Sequence, residues 1–441
     1  MNIAIVGAGV AGMSAAYDLL RAGHQVTLYE ADAQVGGLAG GFKAPHWDWS
    51  MEKFYHHWFA SDQHILGLIR ELGWEDKVRF PRPVTVVYHQ GKFYPFDSPF
   101  AVLRYPGLRW PDKVRFGLVG LYLRLTPRWQ PLERHTAHEW LRRTLGERAY
   151  TALWEPLLVG KFGRHYREVN MAWFWARLHA RTPRLGTFEG GFQAFLDAFA
   201  GRLRRMGAEI RLRTPVERIL PEPKGTGRGL QVVPAPASGA TPQTYHQVLV
   251  TVSPAGMAHM APTLPADYLE GLLKLRSLGA VVLILALKQR LSREGYYWYN
   301  IPKATGFPFL ALVEHTNFLS AAHFGGDHIV YCGDYLDPEH EYFRLSKEEL
   351  LEHFLPALQR INPDFRPDWV RGVWLFRAKY AQPVPLVNHS RHIPAIRTPL
   401  PGLYFASMSQ VYPWDRGTNF AVEIGRRAAR MMLEDHGDSA A

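Results

Sequence analysis

The chain is nearly without cysteine, with Cys332 its single thiol among 441 residues. One thiol excludes an intrachain disulfide, so nothing ties the protein to an oxidising compartment. Long apolar runs are missing as well: the longest conspicuous one, Gly279 to Leu287, is far short of the roughly 20 residues that a membrane-spanning helix takes. The amino-terminal residues read directly as a strand, with no basic n-region and no signal-like apolar segment, so a cytoplasmic location is expected. Histidine and cysteine nowhere gather at zinc-ligand spacing, and neither a recognition-helix pattern nor an aromatic RNA-binding motif accompanies the basic residues. No metal and no nucleic-acid partner is expected. Acidic residues are the minority, 40 Asp and Glu against 51 Lys and Arg, for a formal net charge of +11. That surplus favours anionic surfaces, membrane headgroups or phosphorylated small molecules, although a solvated basic surface fits it too.

What is present is globular: 47% hydrophobic and 21% charged residues, in a chain long enough for two or three domains. The first forty residues organise the rest. Asn2 to Val6 is a β-branched apolar run, Gly7-Ala8-Gly9-Val10-Ala11-Gly12 follows, and Met13 to Arg21 has helical periodicity. In a strand, glycine turn and helix of this kind, Gly7 serves the tight bend. Gly9 lets backbone amides approach a pyrophosphate, and Gly12 lets helix and strand pack closely. The helix then presents its positive dipole end to the phosphates. A second strand, Gln25 to Tyr29, ends at Glu30, 18 residues after Gly12 and near the roughly 20 expected for a carboxylate that binds an adenosine ribose.

Glu30 leads into a second glycine cluster, Gly36-Gly37-Leu38-Ala39-Gly40-Gly41. Read alone it fits a flexible loop. In its place after the acid it resembles the flavoprotein superfamily of amine oxidases, protoporphyrinogen oxidases and phytoene desaturases, whose glycine doublet lies against the FAD pyrophosphate. The resemblance implies FAD as cofactor and Gly36 and Gly37 in that role. Many amine oxidases carry arginine after the doublet; Leu38 is closer to the desaturases and mutases.

The resemblance implies an α/β fold: a discontinuous Rossmann-like FAD-binding domain, an α+β substrate domain and a helical insertion. Residues 1–80, 188–257 and 396–441 are expected to build the first, 81–100 and 258–395 the second, and 101–187 the insertion. The stretch Tyr55-His56-His57-Trp58-Phe59-Ala60-Ser61-Asp62 also resembles the histidine segment of UDP-galactopyranose mutases. His56 and His57 are both catalytic candidates, and both fit ordinary structural histidines. Ser61 is the expected N-cap of a helix over 62–72, with Gly73 its stop. Residues 84–96 read as a hairpin turning at Gln90-Gly91. Within the insertion, Leu118 to Leu125 is apolar and flanked by Arg104, Arg109, Lys113, Arg115 and Arg128. It reads either as core or as a peripheral contact with the inner face of a membrane, as in the related oxidases and desaturases.

Glu189-Gly190-Gly191-Phe192, a helix and a strand then lead to Val216, the position whose backbone contacts the adenine in the superfamily. Lys224 to Gln243 reads as an exposed hairpin tip. Aromatics crowd the region 296–380, fitting either a substrate cavity for an apolar or aromatic molecule or the core of a sheet. A strand at 402–406 and a helix from about 420 to 432, capped by Thr418 or Asn419, close the chain. In the superfamily that helix points its N-terminus at the flavin pyrimidine. Where the family places an acid on the FAD ribityl chain this sequence has Ser407-Met408, so that either Asp415 substitutes or the contact runs through water. Lys379 is the candidate for a lysine near flavin N5. The expected activity is an FAD-dependent oxidoreductase taking a hydride from an amine, allylic or porphyrinogen-type C–H bond. The alternative is a mutase-like, flavin-dependent isomerase of a nucleotide sugar, for which the mutases' C-terminal motif has no counterpart here.

Overall fold

In the computed structural model, which describes residues 1–180, 182–222 and 229–437, five short strands form a parallel sheet. Their order is Glu209–Arg211, Gln25–Tyr29, Asn2–Val6, Gln247–Val250, Leu403–Phe405. The alternation of the central strand sets two cores. Ile3 and Ile5 face the helices Val10–Arg21, Phe192–Arg205 and Thr418–His436, while Ala4 and Val6 face a three-stranded antiparallel sheet. That second sheet is Val216–Pro221, Leu230–Pro234 and Gln243–Tyr245. It corrects part of the hairpin tip expected at 224–243: residues 224–228 lie outside the described ones, and Leu230 and Val232 are buried in its middle strand.

A seven-stranded sheet runs Val370–Pro383, Ser277–Leu287, His328–Leu336, Ala311–Glu314, Trp298–Asn300, Thr85–His89, Lys92–Pro95. It is antiparallel except where Trp298–Asn300 meets Thr85–His89. Ser277–Leu287 is covered on both faces, Leu283 and Leu285 by the helix Lys347–Ile361 and Val282 and Ile284 by Trp47 and Phe324. Two covered faces explain the unbroken apolar run there. The hairpin turns at Gln90 (φ 47°) and Gly91 (φ 82°), the left-handed pair that a two-residue loop needs.

Between the sheets, helices Trp110–Leu125, Ala137–Leu145, Glu155–Phe162 and Met171–Ala180 pack around Leu141, Tyr150, Phe162 and Phe174. The first of them is not the core helix that its composition allows. Leu123 is buried, but Trp110, Leu118, Leu121, Tyr122 and Leu125 are between 53% and 70% exposed. No helix among the described residues is long and apolar enough to cross a membrane.

The two ends of the chain are tied by an unusual cap. The helix Gln63–Leu72 starts after Asp62, not after Ser61, and no side chain of its own caps it; the Asp62 carboxylate accepts from the Phe59 amide instead. Asn419 Oδ1, from the closing helix, accepts from the His64 and Ile65 amides at 2.9 and 3.1 Å. The closing helix itself begins at Thr418, after Gly417, so neither Thr418 nor Asn419 is its N-cap.

The opening and closing helices touch at Gly425, where a Cβ would lie 2.2 Å from the Ala11 carbonyl oxygen. Gly→Ala within a helix ordinarily stabilises by about 1 kcal/mol. Gly425→Ala is expected to reverse that sign and destabilise by about 1–3 kcal/mol through overpacking, read from the urea midpoint.

Candidate active site

A cleft of about 600 Å³ opens at the carboxyl ends of the parallel strands and continues between that sheet, the seven-stranded sheet and the helical unit. An open α/β sheet takes its ligands at this edge. The first glycine turn forms one wall. Gly7 has φ +105°, and a Cβ on it would meet Thr251 Oγ1 at 2.6 Å; a Cβ on Gly12 would lie 2.0 Å from the Gly7 carbonyl oxygen. Both glycines are therefore required by the protein's own packing. Gly9 is different. Its φ is −75°, nothing lies within 4 Å of its Cβ position, and it lines the cleft. Neither backbone nor packing calls for glycine there, so the demand comes from what the cleft holds.

The doublet folds onto this turn: the Gly36 amide donates to the Ala8 carbonyl at 2.9 Å, and Gly36 (φ +123°) and Gly37 (φ +55°) both line the cleft. Glu30 also faces it. Its carboxylate accepts from the Ala8 amide at 2.8 Å and the Asp32 amide at 3.0 Å, and burial raises its pKa against those two bonds. Val216 lies farther along the same wall.

Two helices near this site are capped by side chains from distant parts of the chain. The helix Gln63–Leu72 is capped by Asn419, and the Phe192 amide opening another helix donates to Glu52 Oε1 at 3.0 Å. The helices that start at Val10 and Thr418 have no side-chain cap, and both start at the cleft. Their unpartnered amides and positive dipole ends suit a ligand carrying negative or acceptor groups at two separated points. Thr418 and Asn419 line the cleft beside the second of them, with Thr418 Oγ1 accepting from Trp58 Nε1 at 2.9 Å.

His56 and His57 both line the cleft. His56 Nδ1 lies 2.6 Å from the Phe54 carbonyl, which can only accept, so Nδ1 carries the proton and Nε2 is left with a lone pair. Burial pushes the ring down to about 4, which keeps it neutral. His57 stands edge-on to Phe59 and Trp298. Of the aromatics crowding 296–380, Trp298, Tyr335 and Tyr380 line the cleft, while Tyr297, Tyr299, Phe307 and Phe309 are core.

Lys379 does not reach this site. Its strand runs on to Pro383, side chains alternate along it, and where Tyr380 faces the cleft Lys379 faces solvent. The lysine that the cleft does contain is Lys161, on the helix Glu155–Phe162. Its Nζ lies 2.9 Å from Asp415 Oδ2, which Arg177 also approaches at 3.4 Å; Asp415 Oδ1 accepts from Trp173 Nε1 and the Arg416 amide, each at 3.1 Å. Burial pulls Lys161 well below the usual lysine range against the pull of Asp415. Burial would raise the Asp415 carboxyl, but Lys161, Arg416 and Arg177 overcome it and hold it well below the usual carboxylate range. The oxygens of Asp415 are thus engaged by cations, an indole and a backbone amide, and its side chain still lines the cleft. Arg416 donates to the Ala381 carbonyl and the Tyr335 hydroxyl. Lys161 and Arg177 went unread in the sequence, although each is a lone charge in an otherwise apolar helical run, Leu157 to Phe162 and Met171 to Leu178. Among the described residues no cluster of His, Cys, Asp and Glu could hold a metal ion.

Residues 10–433 match the family described as flavin containing amine oxidoreductase. The 15-cis-phytoene desaturase of Glycine max is 31% identical over 159 residues, 32% of this chain; the match spans 28% of the desaturase, under a third of its length. The crystal structure of a protein described as a protoporphyrinogen oxidase from Exiguobacterium sp. 255-15 superposes with TM-score 0.76 at 19% identity, covering 98% of this chain and 99% of that one. Reduced UDP-galactopyranose mutase superposes with TM-score 0.76 at 15% identity, covering 98% and 94%. At such identities these two structures share the fold alone. The open glycine turn, the doublet and the two uncapped helices fit FAD. With the family match spanning nearly the whole sequence, the chain belongs to the flavin-containing amine oxidoreductases.

Proposed function

We propose that the enzyme oxidises a C–H bond of an apolar or aromatic substrate, adjacent to an amine or at an allylic or porphyrinogen-type carbon, with the hydrogen leaving as hydride. FAD supplies the two-electron acceptor. The chain's own part is binding and shaping. Gly7, Gly9, Gly36 and Gly37 give backbone access to the diphosphate, Glu30 holds the ribose, and Val216 contacts the adenine by its backbone. The uncapped start of Thr418–His436 offers positive potential to the pyrimidine end. Trp298, Tyr55 and Tyr380 form an aromatic wall, with Tyr55 edge-on to Trp298 at 4.9 Å. Neutral His56 offers Nε2 as an acceptor beside it. The observation that carries the reading is the joining of an FAD cradle to this aromatic chamber in one cleft.

A second reading, an isomerase of a nucleotide sugar, is favoured by the cations Lys161, Arg177 and Arg416, which suit a diphosphate. Anaerobic titration with amine, porphyrinogen, polyene and sugar-nucleotide panels separates the two. Oxidation predicts that a C–H donor bleaches the flavin spectrum. Turnover of UDP-galactose only after dithionite reduction, with no net electron consumption, would establish the isomerase instead.

The exposed helix Trp110–Leu125 supports a further element, peripheral docking to an anionic bilayer. Trp110, Val114, Leu118, Leu121 and Leu125 recur at helical spacing, and Phe100 and Leu103 extend the patch. Between residues 100 and 128 there are six cations and one acid, Asp112, which is paired with Arg148. An apolar stripe with a basic surround matches an interfacial helix on anionic lipid.

Two outcomes follow. Gly9→Ala is expected to change the apo-protein's thermal midpoint little, since a Cβ there has no protein atom within 4 Å, while the purified protein loses most of its yellow colour. In sedimentation with vesicles, wild type is expected to bind phosphatidylglycerol more than phosphatidylcholine, weakening with salt. The L118E/L121E/L125E variant should stay in the supernatant with its flavin content intact. A salt-independent dimer that these substitutions dissociate would assign the face to a second copy of the chain.

A further inference from the structure

Three cationic side chains, Lys161, Arg177 and Arg416, line one side of the chamber and share a single carboxylate, Asp415. The side chains of Lys161 and Arg177 are only 9% and 13% exposed. Arg416 is held by a carbonyl and a phenol, both neutral, and among the described residues no carboxylate lies within 4 Å of its guanidinium. Lys161 and Arg177 lie over the Trp173 ring at 5.4 and 5.7 Å, and Arg416 lies over Tyr335 at 5.0 Å, contacts that position the charges without neutralising them. Even with Lys161 neutral the two guanidinium groups outnumber the one carboxylate, so the group carries a net positive charge, largely out of water. Buried charge without a partner is costly, and the cost falls when a ligand brings the missing negative charge.

We infer that the substrate carries an oxyanionic group, carboxylate or phosphate, and that Lys161, Arg177 and Arg416 form the subsite that receives it. Two guanidinium groups present planar donor forks matched to an oxyanion, and the lysine adds a point charge. Asp415 is the positioning residue: by drawing Lys161 and Arg177 to one carboxylate it fixes where their remaining donors converge. The same charges repel a protonated amine, so the substrate is an apolar or aromatic body with an anionic end. Trp414, which lines the chamber and stacks on Phe420 at the start of the closing helix, and Tyr335, under Arg416, suit the apolar part.

This inference rests on the cleft being the substrate site of the FAD enzyme, and its test reads binding and not turnover. The holoenzyme is titrated by calorimetry with naphthoate, naphthyl phosphate and neutral naphthamide. At least one anion is expected to bind about tenfold or more tightly than the amide, as charge-assisted hydrogen bonds imply. Arg177→Gln should erase most of that preference and Arg177→Lys retain part of it, with FAD content unchanged in both. Equal binding of the three probes overturns the subsite, as does a preference that survives Arg177→Gln. A shifted flavin midpoint potential in Arg177→Gln with the preference intact also overturns it, assigning the cations to the reduced cofactor. An anion preference in a holoenzyme whose flavin no donor bleaches retires the oxidation reading and keeps the subsite. Equal binding of the three probes by a wild-type holoenzyme whose flavin does bleach does the reverse.

Discussion

The close approach of the Gly7 carbonyl oxygen to Gly12 sets the geometry of everything around it. A Cβ on Gly12 would be 2.0 Å from that oxygen, so the strand and the helix can meet at this angle only with hydrogen in that place. Meeting there, they leave the helix start at Val10 open towards the cleft with no side chain to cap it. The next layer repeats the device. Gly425 brings the closing helix against Ala11 at a distance no other residue allows, and that packing delivers a second uncapped start, at Thr418, to the same cleft. Two contacts between backbones, each depending on a missing side chain, place two positive helix ends where one extended ligand can use both.

What the sequence made legible follows from this. The glycine turn, Glu30 and the doublet lie within forty residues and serve a local backbone geometry, so spacing alone reveals them. Where a role depends on which way a side chain points across a sheet, or on a partner hundreds of residues away, it does not. Lys379 precedes the cleft-lining Tyr380 by one residue, and on a strand one step of sequence means the opposite face. Ser61 looked like a cap because serine often caps. The amides of His64 and Ile65 are satisfied by Asn419, and no local pattern encodes a bond across more than 350 residues. The charges of the chamber were hidden for the same reason. Lys161, Arg177 and Asp415 stand on three separate elements and acquire meaning only when these are packed together.

Electrostatics give the cleft a consistent sign. Both helix starts and all three cations point positive potential into it, while the acids on its walls are held: Glu30 by two amides, Asp62 by the Phe59 amide, and Asp415 by Lys161, Arg177, Trp173 and the Arg416 amide. His56 stays neutral in that field, since burial and the nearby Arg416 both oppose its protonation. A positive, partly dehydrated chamber lowers the cost of gathering electrons on a bound cofactor and raises the cost of admitting a cation.

The helical unit between residues 99 and 180 joins these properties. One of its helices turns Leu118, Leu121 and Leu125 outward, and two others turn Lys161 and Arg177 inward. Surfaces that face water seldom leave so many large apolar side chains exposed along one helix without a use for them. The proposed docking face and the proposed anion subsite would then serve one kind of molecule, an amphiphile with an apolar body and an anionic head, from the two sides of this unit. Carried on one inserted segment, the outer face and the inner charges can vary together while the dinucleotide cradle, built from the chain's ends, keeps its glycine-dictated geometry.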